Sequence, residues 1–144
     1  MGRFNQFLVD TELLLHTGLL GASAAGSEGV IDLGGDGAVR GDVVIDLTAV
    51  EVASNDEFYH VGVEFSSSPS FASGKHPGPF IGFGNNAAAT LLVNASADRT
   101  TGRYILPVTN ELNGTAYRYM RIYVVVGGTV ATGINFTAYF TPTR

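Results

Sequence analysis

The chain has 144 residues, enough for one domain, with 8 Lys+Arg against 13 Asp+Glu and a formal net charge of −5. It holds no cysteine, which excludes zinc-thiolate sites, thiol nucleophiles and disulfides together. Its only lysine is Lys75, and its arginines are scattered apart from Arg118 and Arg121; without a cation cluster, no nucleic-acid partner is expected.

Met1–Asp10 reads as an N-terminal arm ahead of a single domain over 11–144, and it carries Phe4, Phe7 and Leu8. The arm lacks the apolar stretch and small-residue cleavage site of a secretion signal. No apolar run approaches the ~20 residues of a membrane helix, so no membrane partner is expected. The chain's 19 glycines stand among frequent β-branched and aromatic residues, which is strand-and-turn chemistry. A first strand is predicted at Glu12–His16, then a turn region from Gly21 to Gly29, a strand at Val30–Leu33 and a turn at Gly34–Gly37.

Asp42–Val52 alternates, but its phase slips. Val43, Ile45, Leu47 and Ala49 share one face; then Val50 and Val52 become the apolar positions. A β-bulge near Ala49 restores a single core face, or the strand passes from one sheet to the other. Tyr59–Ser66 alternates cleanly, with Tyr59, Val61, Val63 and Phe65 inward and His60, Gly62, Glu64 and Ser66 outward. A long Ser/Gly/Pro loop is predicted over Ser66–Pro79, holding Phe71, Lys75 and His76. Phe71 there is either a partner anchor or a side chain folded back onto its own domain.

Strands follow at Phe80–Phe83, Ala89–Asn94 and Arg103–Val108. Pro107 cannot donate a ladder hydrogen bond, so that last strand belongs at an edge or ends there. Asn113-Gly114 is a hairpin signal between Arg103–Val108 and Arg118–Val126. In Arg118–Val126, Met120, Ile122, Val124 and Val126 point inward, while Tyr119, Arg121, Tyr123 and Val125 point outward. Glycines 127, 128 and 133 bracket the turn into Ile134–Thr141, which alternates again. The sum is an all-β chain: a jelly-roll-like antiparallel β-sandwich of about eight or nine strands.

Catalytic and metal chemistry find little support. His60 and Glu64 share a face but stand ~13 Å apart along an extended strand, too far to bind one ion. Asp32, Asp36 and Asp42 surround a Gly-rich turn without the ligand spacing of a calcium loop. There is no Gly-x-Ser-x-Gly elbow, and the adjacent Asp56 and Glu57 point opposite ways on an extended strand. No enzyme activity and no cofactor are expected. The outward Tyr119, Arg121 and Tyr123 form an aromatic–cation stripe of the kind enriched at interfaces. Ordinary packing against Tyr139 and Asn135 on a neighbouring strand is the other reading.

The carboxy-terminal third reads Arg118-Tyr-Met-Arg-Ile-Tyr-Val-Val-Val-Gly-Gly-Thr-Val-Ala-Thr-Gly and then Ile134-Asn-Phe-Thr-Ala-Tyr-Phe. With Val30-Ile-Asp-Leu-Gly and the long Asp42–Val52 strand, this order of elements resembles the Bordetella-phage-type family of tailed-phage capsid cement (decoration) proteins. The resemblance implies a jelly roll and a place on the outer surface of the virion capsid. It implies the major capsid protein as partner, bridging of coat subunits without catalysis, and a homo-oligomer, most often a dimer. The residues expected to meet the shell are Phe4, Phe7 and Leu8 of the arm, Phe71 of the loop, and Tyr119, Arg121 and Tyr123 of the stripe. A carbohydrate-binding jelly-roll module and a shell or tail structural protein are the competing functions.

Overall fold

Every long alternating segment becomes a strand whose apolar half enters one shared core. The computed structural model describes residues 13–84 and 101–143. Its strands are Leu14–Leu20 (β1), Ala24–Ala25 (β2), Ile31–Asp32 (β3), Arg40–Val50 (β4), Phe58–Ser66 (β5), His76–Phe83 (β6), Gly102–Thr109 (β7), Glu111–Leu112 (β8), Thr115–Ala116 (β9), Tyr119–Gly127 (β10) and Ile134–Pro142 (β11). One sheet has the order β1-β11-β4-β7; the other has β2-β10-β5-β6, with β3 continuing the β2 side of β10. All pairings are antiparallel.

The core lies between the two sheets. Val43, Ile45 and Leu47 of β4 and Ile134, Phe136, Ala138 and Phe140 of β11 face Tyr59, Val61, Val63 and Phe65 of β5 and Met120, Ile122 and Val124 of β10. Burying each large side chain contributes roughly 1.5–3 kcal/mol against chain entropy. The strands assigned to Tyr59–Ser66, Arg118–Val126 and Ile134–Thr141 therefore form with the expected faces inward.

The phase slip in β4 is a bulge. Asn135 opposes Ala49 while Phe136 opposes Leu47, so Thr48 is the extra residue, and Val50 returns to the core side. Pro107 lies on β7, at the end of its sheet's strand order. A second bulge in β1, between Leu14 and His16, lets the consecutive residues Leu15 and His16 both turn inward. The Ser27 N–H donates to His16 Nδ1 at 3.0 Å, which leaves Nε2 to donate to the Gly18 carbonyl at 3.0 Å.

Three expectations are corrected. Asn113 and Gly114 do form a two-residue turn, with φ of 52° and 80°, but it closes the small β8–β9 ribbon. β7 and β10, which it was expected to join, lie in different sheets. The loop after β5 spans only 67–75, because His76–Phe83 pairs with β5 as β6; His76 is a strand residue whose ring stacks on Tyr117 at 4.3 Å. Finally, Tyr139 and Asn135 belong to the other sheet, so they do not flank the outward face of β10. The strand expected at Ala89–Asn94 lies outside the described residues.

Candidate functional site

The outer face of the five-stranded sheet brings together four of the seven residues singled out by sequence. Because Met120, Ile122 and Val124 enter the core, Tyr119, Arg121, Tyr123 and Val125 must stand outward. On β5 the same logic puts Phe58, His60, Gly62 and Glu64 outward. Antiparallel register then sets Arg121 opposite Glu64, Tyr123 opposite Gly62 and Val125 opposite His60. On the far side of β5, Gly62 opposes Phe80 of β6.

One half of this face is covered. Arg121 Nη2 lies 2.8 Å from Glu64 Oε2, with side chains only 18% and 20% exposed. Its guanidinium also sits 4.4 Å from the ring centre of Phe71 and 5.6 Å from that of Tyr123, within cation–π range. Phe71 is 3% exposed, so it is folded onto its own domain and does not project as a free anchor. It holds a φ of +53°, a left-handed conformation that costs a bulky residue roughly 1–2 kcal/mol. Beside it Ser66 Oγ accepts from the Ser68 N–H at 3.0 Å and donates to the Ser73 carbonyl at 3.4 Å, tying the loop down. Tyr119 lies two positions from Arg121 on the same face, 5.4 Å from the Arg118 guanidinium, which itself pairs with Asp32 at 2.8 Å. Asp32 is thereby held well below the usual carboxylate range, at about 2.

The other half is bare and aromatic. Phe80 is 50% exposed and Val125 43%. The His60 ring lies between Phe58, at 4.9 Å, and Phe80, at 5.9 Å. Its Nε2 is buried and has no hydrogen-bond partner, and burial lowers the imidazole pKa from its ordinary value. Glycine makes this geometry possible. A Cβ on Gly62 would collide with the Cβ of Phe80 and the Pro79 carbonyl, and one on Gly127 would collide with the Phe58 ring, so each glycine lets its register partner approach closely. The result is a shallow groove of about 170 Å³ running past His60, Gly62, Phe80, Tyr123 and Val125, with Glu64 also in its lining.

Phe4, Phe7 and Leu8 lie outside the described residues. Sequence reasoning did not single out His60, Phe80 or Val125 as surface contacts. The signal for His60 and Val125 was present in the alternation of β5 and β10. Phe80 was hidden because Gly78 and Gly82 blur the period of β6.

Chemically the face is suited to contact. Its imidazole nitrogen is shielded by two rings, and its carboxylate is committed to Arg121. Among the described residues, no group of three or more His, Asp or Glu side chains is placed to hold a metal ion. Comparison of the chain with protein-family models, curated proteins and solved structures finds no match.

Proposed function

We propose that this chain is a non-enzymatic capsid cement protein that docks on the outer surface of a phage shell and bridges neighbouring coat subunits. The observation that carries the reading is the outer face of the five-stranded sheet, where Tyr119, Arg121 and Tyr123 continue into an exposed aromatic groove. A rigid sheet presenting aromatic rings and a held arginine has the composition of an interface centre.

The strand order supports a jelly roll. Counting β2 and β3 as one interrupted strand, the first strand pairs with the last (β1–β11), the second with the next to last (β2/β3–β10), then β4 with β7 and β5 with β6. That nesting is one long antiparallel ribbon folded over itself, an architecture common in viral shells. Fold alone does not fix function; the exposed face is what favours docking. As a homo-oligomer, most simply a dimer, the protein would grip two coat subunits at once, so that modest contacts gain from effective concentration. Binding only the mature lattice would stabilise it by linkage.

The test is co-sedimentation of the purified protein with expanded, empty capsids of its own source, stripped of this component. Saturable binding at a fixed ratio to the coat subunit, with a higher temperature of shell breakage, is expected. Absence of binding would sink the reading and turn attention to a glycan screen.

A further inference from the structure

We propose that Asn113 is a site of spontaneous covalent modification: its side-chain amide is lost to the backbone nitrogen of Gly114, which turns the tip of the β8–β9 ribbon into aspartate and isoaspartate while both main sheets stay folded. The proposal stands on the turn alone and does not depend on capsid docking.

The chemistry needs an asparagine amide, the backbone nitrogen of the next residue, and water. The Gly114 nitrogen gives up its proton to solvent base and attacks Asn113 Cγ. An N–Cγ bond forms, the Cγ–Nδ2 bond breaks, and ammonia leaves with a proton from solvent. Water then opens the cyclic imide. Addition at Cγ returns aspartate. Addition at the backbone carbonyl of residue 113 gives isoaspartate, whose main chain runs through Cβ and Cγ and is one atom longer. No group is oxidised or reduced.

Sequence is the first argument for this residue. Asn113-Gly114 is the chain's one Asn-Gly pair. Every other asparagine precedes a residue with a Cβ, which crowds the attacking nitrogen. Exposure is the second. Asn113 and Gly114 are both exposed, and a Cβ on Gly114 would meet nothing within 4 Å. Neither the Asn113 side-chain amide nor the Gly114 N–H has a hydrogen-bond partner among the described residues. The other described asparagines differ. The N–H after Asn55 donates to Glu57 Oε2 at 3.2 Å, and that after Asn110 donates to Thr109 Oγ1 at 3.3 Å. Asn110 is also 2% exposed, and its amide is held by Val39, Gly37 and Tyr117. Asn135 precedes Phe136, which is fully buried in the core.

The ribbon itself is the third argument. The φ values of 52° and 80° are those of a type I′ turn, and ring closure needs rotation about the Asn113 Cα–C bond away from it. The turn must therefore open. β8 and β9 are joined by two residue pairs and belong to neither main sheet. A two-stranded hairpin of this kind is marginal by itself, so its opening costs little. The opening stops at the base of the ribbon. There the Tyr117 N–H donates to the Asn110 carbonyl at 3.0 Å, and Asn110 Nδ2 donates to the Tyr117 carbonyl at 2.7 Å. The longer isoaspartyl backbone cannot rebuild a two-residue turn. The ribbon then stays open, with one more negative charge on a chain of formal net charge −5.

The experiment incubates the folded, full-length protein at mildly alkaline pH. It is followed by isoelectric focusing, peptide mass mapping and methyl transfer from an isoaspartyl methyltransferase. One acidic form is expected to accumulate, with the amide-to-acid mass change and the methyl uptake both confined to residue 113. Asn113→Gly keeps a residue suited to positive φ, so it should fold normally and yield no such form. In amide NMR the aged protein should show shifts at residues 111–116 and none in β5 or β10. An acidic form that arises equally in Asn113→Gly, or that maps to Asn55, Asn110 or Asn135, overturns the site. So does a form that accumulates only when urea unfolds the chain, because the folded turn would then be protecting its amide. Shifts spread over both sheets would overturn the confinement of the change to the ribbon.

Discussion

Arg121 and Glu64 stand directly opposite each other on β10 and β5, and the guanidinium that bonds the carboxylate at 2.8 Å also covers the ring of Phe71 at 4.4 Å. One side chain therefore joins the sheet to the loop at 67–75. Replacing it with methionine keeps the apolar stem but leaves Glu64 half-buried without its partner. A charged hydrogen bond of this kind contributes about 1.5–3 kcal/mol, so Arg121→Met should lower stability by about 2 kcal/mol in urea unfolding. The double variant Arg121→Met/Glu64→Gln should recover part of the loss, because no buried charge is then stranded. A loss in the double variant equal to the sum of the two single losses would rule out the coupling.

Phe71 offers a sharper test because its backbone and its side chain pull in opposite directions. The ring is buried, yet φ is +53°. Truncation to alanine removes the ring and keeps the left-handed penalty; truncation to glycine removes both. Both variants should be destabilised, by about 3 kcal/mol for alanine. Phe71→Gly should be the more stable of the two by about 1 kcal/mol, the reverse of the usual order. Thermal or urea unfolding of the pair decides it, and a less stable glycine variant would mean the strain is not real.

His16 and His60 give the fold a weak acid sensitivity. Burial pushes both imidazoles below the ordinary 6.5, although for His16 the Gly18 carbonyl and the Glu28 charge push the other way. The unfolded chain then binds protons more tightly than the folded one, so protonation favours unfolding. Their contribution is fully present above 6.5 and is lost as pH falls through the lowered folded values. Between pH 7.5 and about 5, before most carboxylates titrate, stability should fall. His60→Phe removes a buried nitrogen that has no partner, so it should gain about 1 kcal/mol at neutral pH and flatten the slope. The slope that remains belongs to His16. A variant with unchanged stability and unchanged slope would show that Nε2 finds solvent in solution.

What could be read from the sequence followed the range of the forces involved. Alternation is local, so the inward faces of β5, β10 and β11 were legible, and so was the phase slip near Ala49; that it is a bulge rather than a passage between sheets follows only from the pairing with β11. Turn chemistry is also local: Asn113-Gly114 turns as its residue types require. Which strands the turn connects is not local, and that part was misjudged, because β7 pairs with β4 and β10 with β5 across long stretches of chain. The outward stripe on β10 could be named without knowing its neighbours. Its meeting with Glu64, Phe71 and Phe80 depends on a register set only when the core closes. Phe71 was undecided for the same reason: no local pattern says whether a loop residue finds a guanidinium to lie beneath.

The turn between β10 and β11 is held from outside, and this gives the last prediction. The Glu51 carboxylate accepts the backbone N–H groups of Ala131, Thr132 and Gly133 at 2.7–3.1 Å, and Asp56 accepts the Thr129 N–H and hydroxyl, each at 2.9 Å. These donors hold both carboxylates below their ordinary range. Their stabilising effect is therefore present above the ordinary values of 4.5 and 3.8 and disappears as pH falls through the depressed ones. Glutamine at position 51 keeps one acceptor oxygen but loses the charge, and it cannot satisfy three donors as well. Glu51→Gln should speed hydrogen exchange, relative to the intrinsic rate, at the amides of Ala131, Thr132 and Gly133 while leaving those of β5 unchanged, and acidifying the unaltered protein through the depressed Glu51 value should mimic it. Faster exchange spread evenly over the molecule would instead mean that Glu51 supports the whole fold rather than this turn.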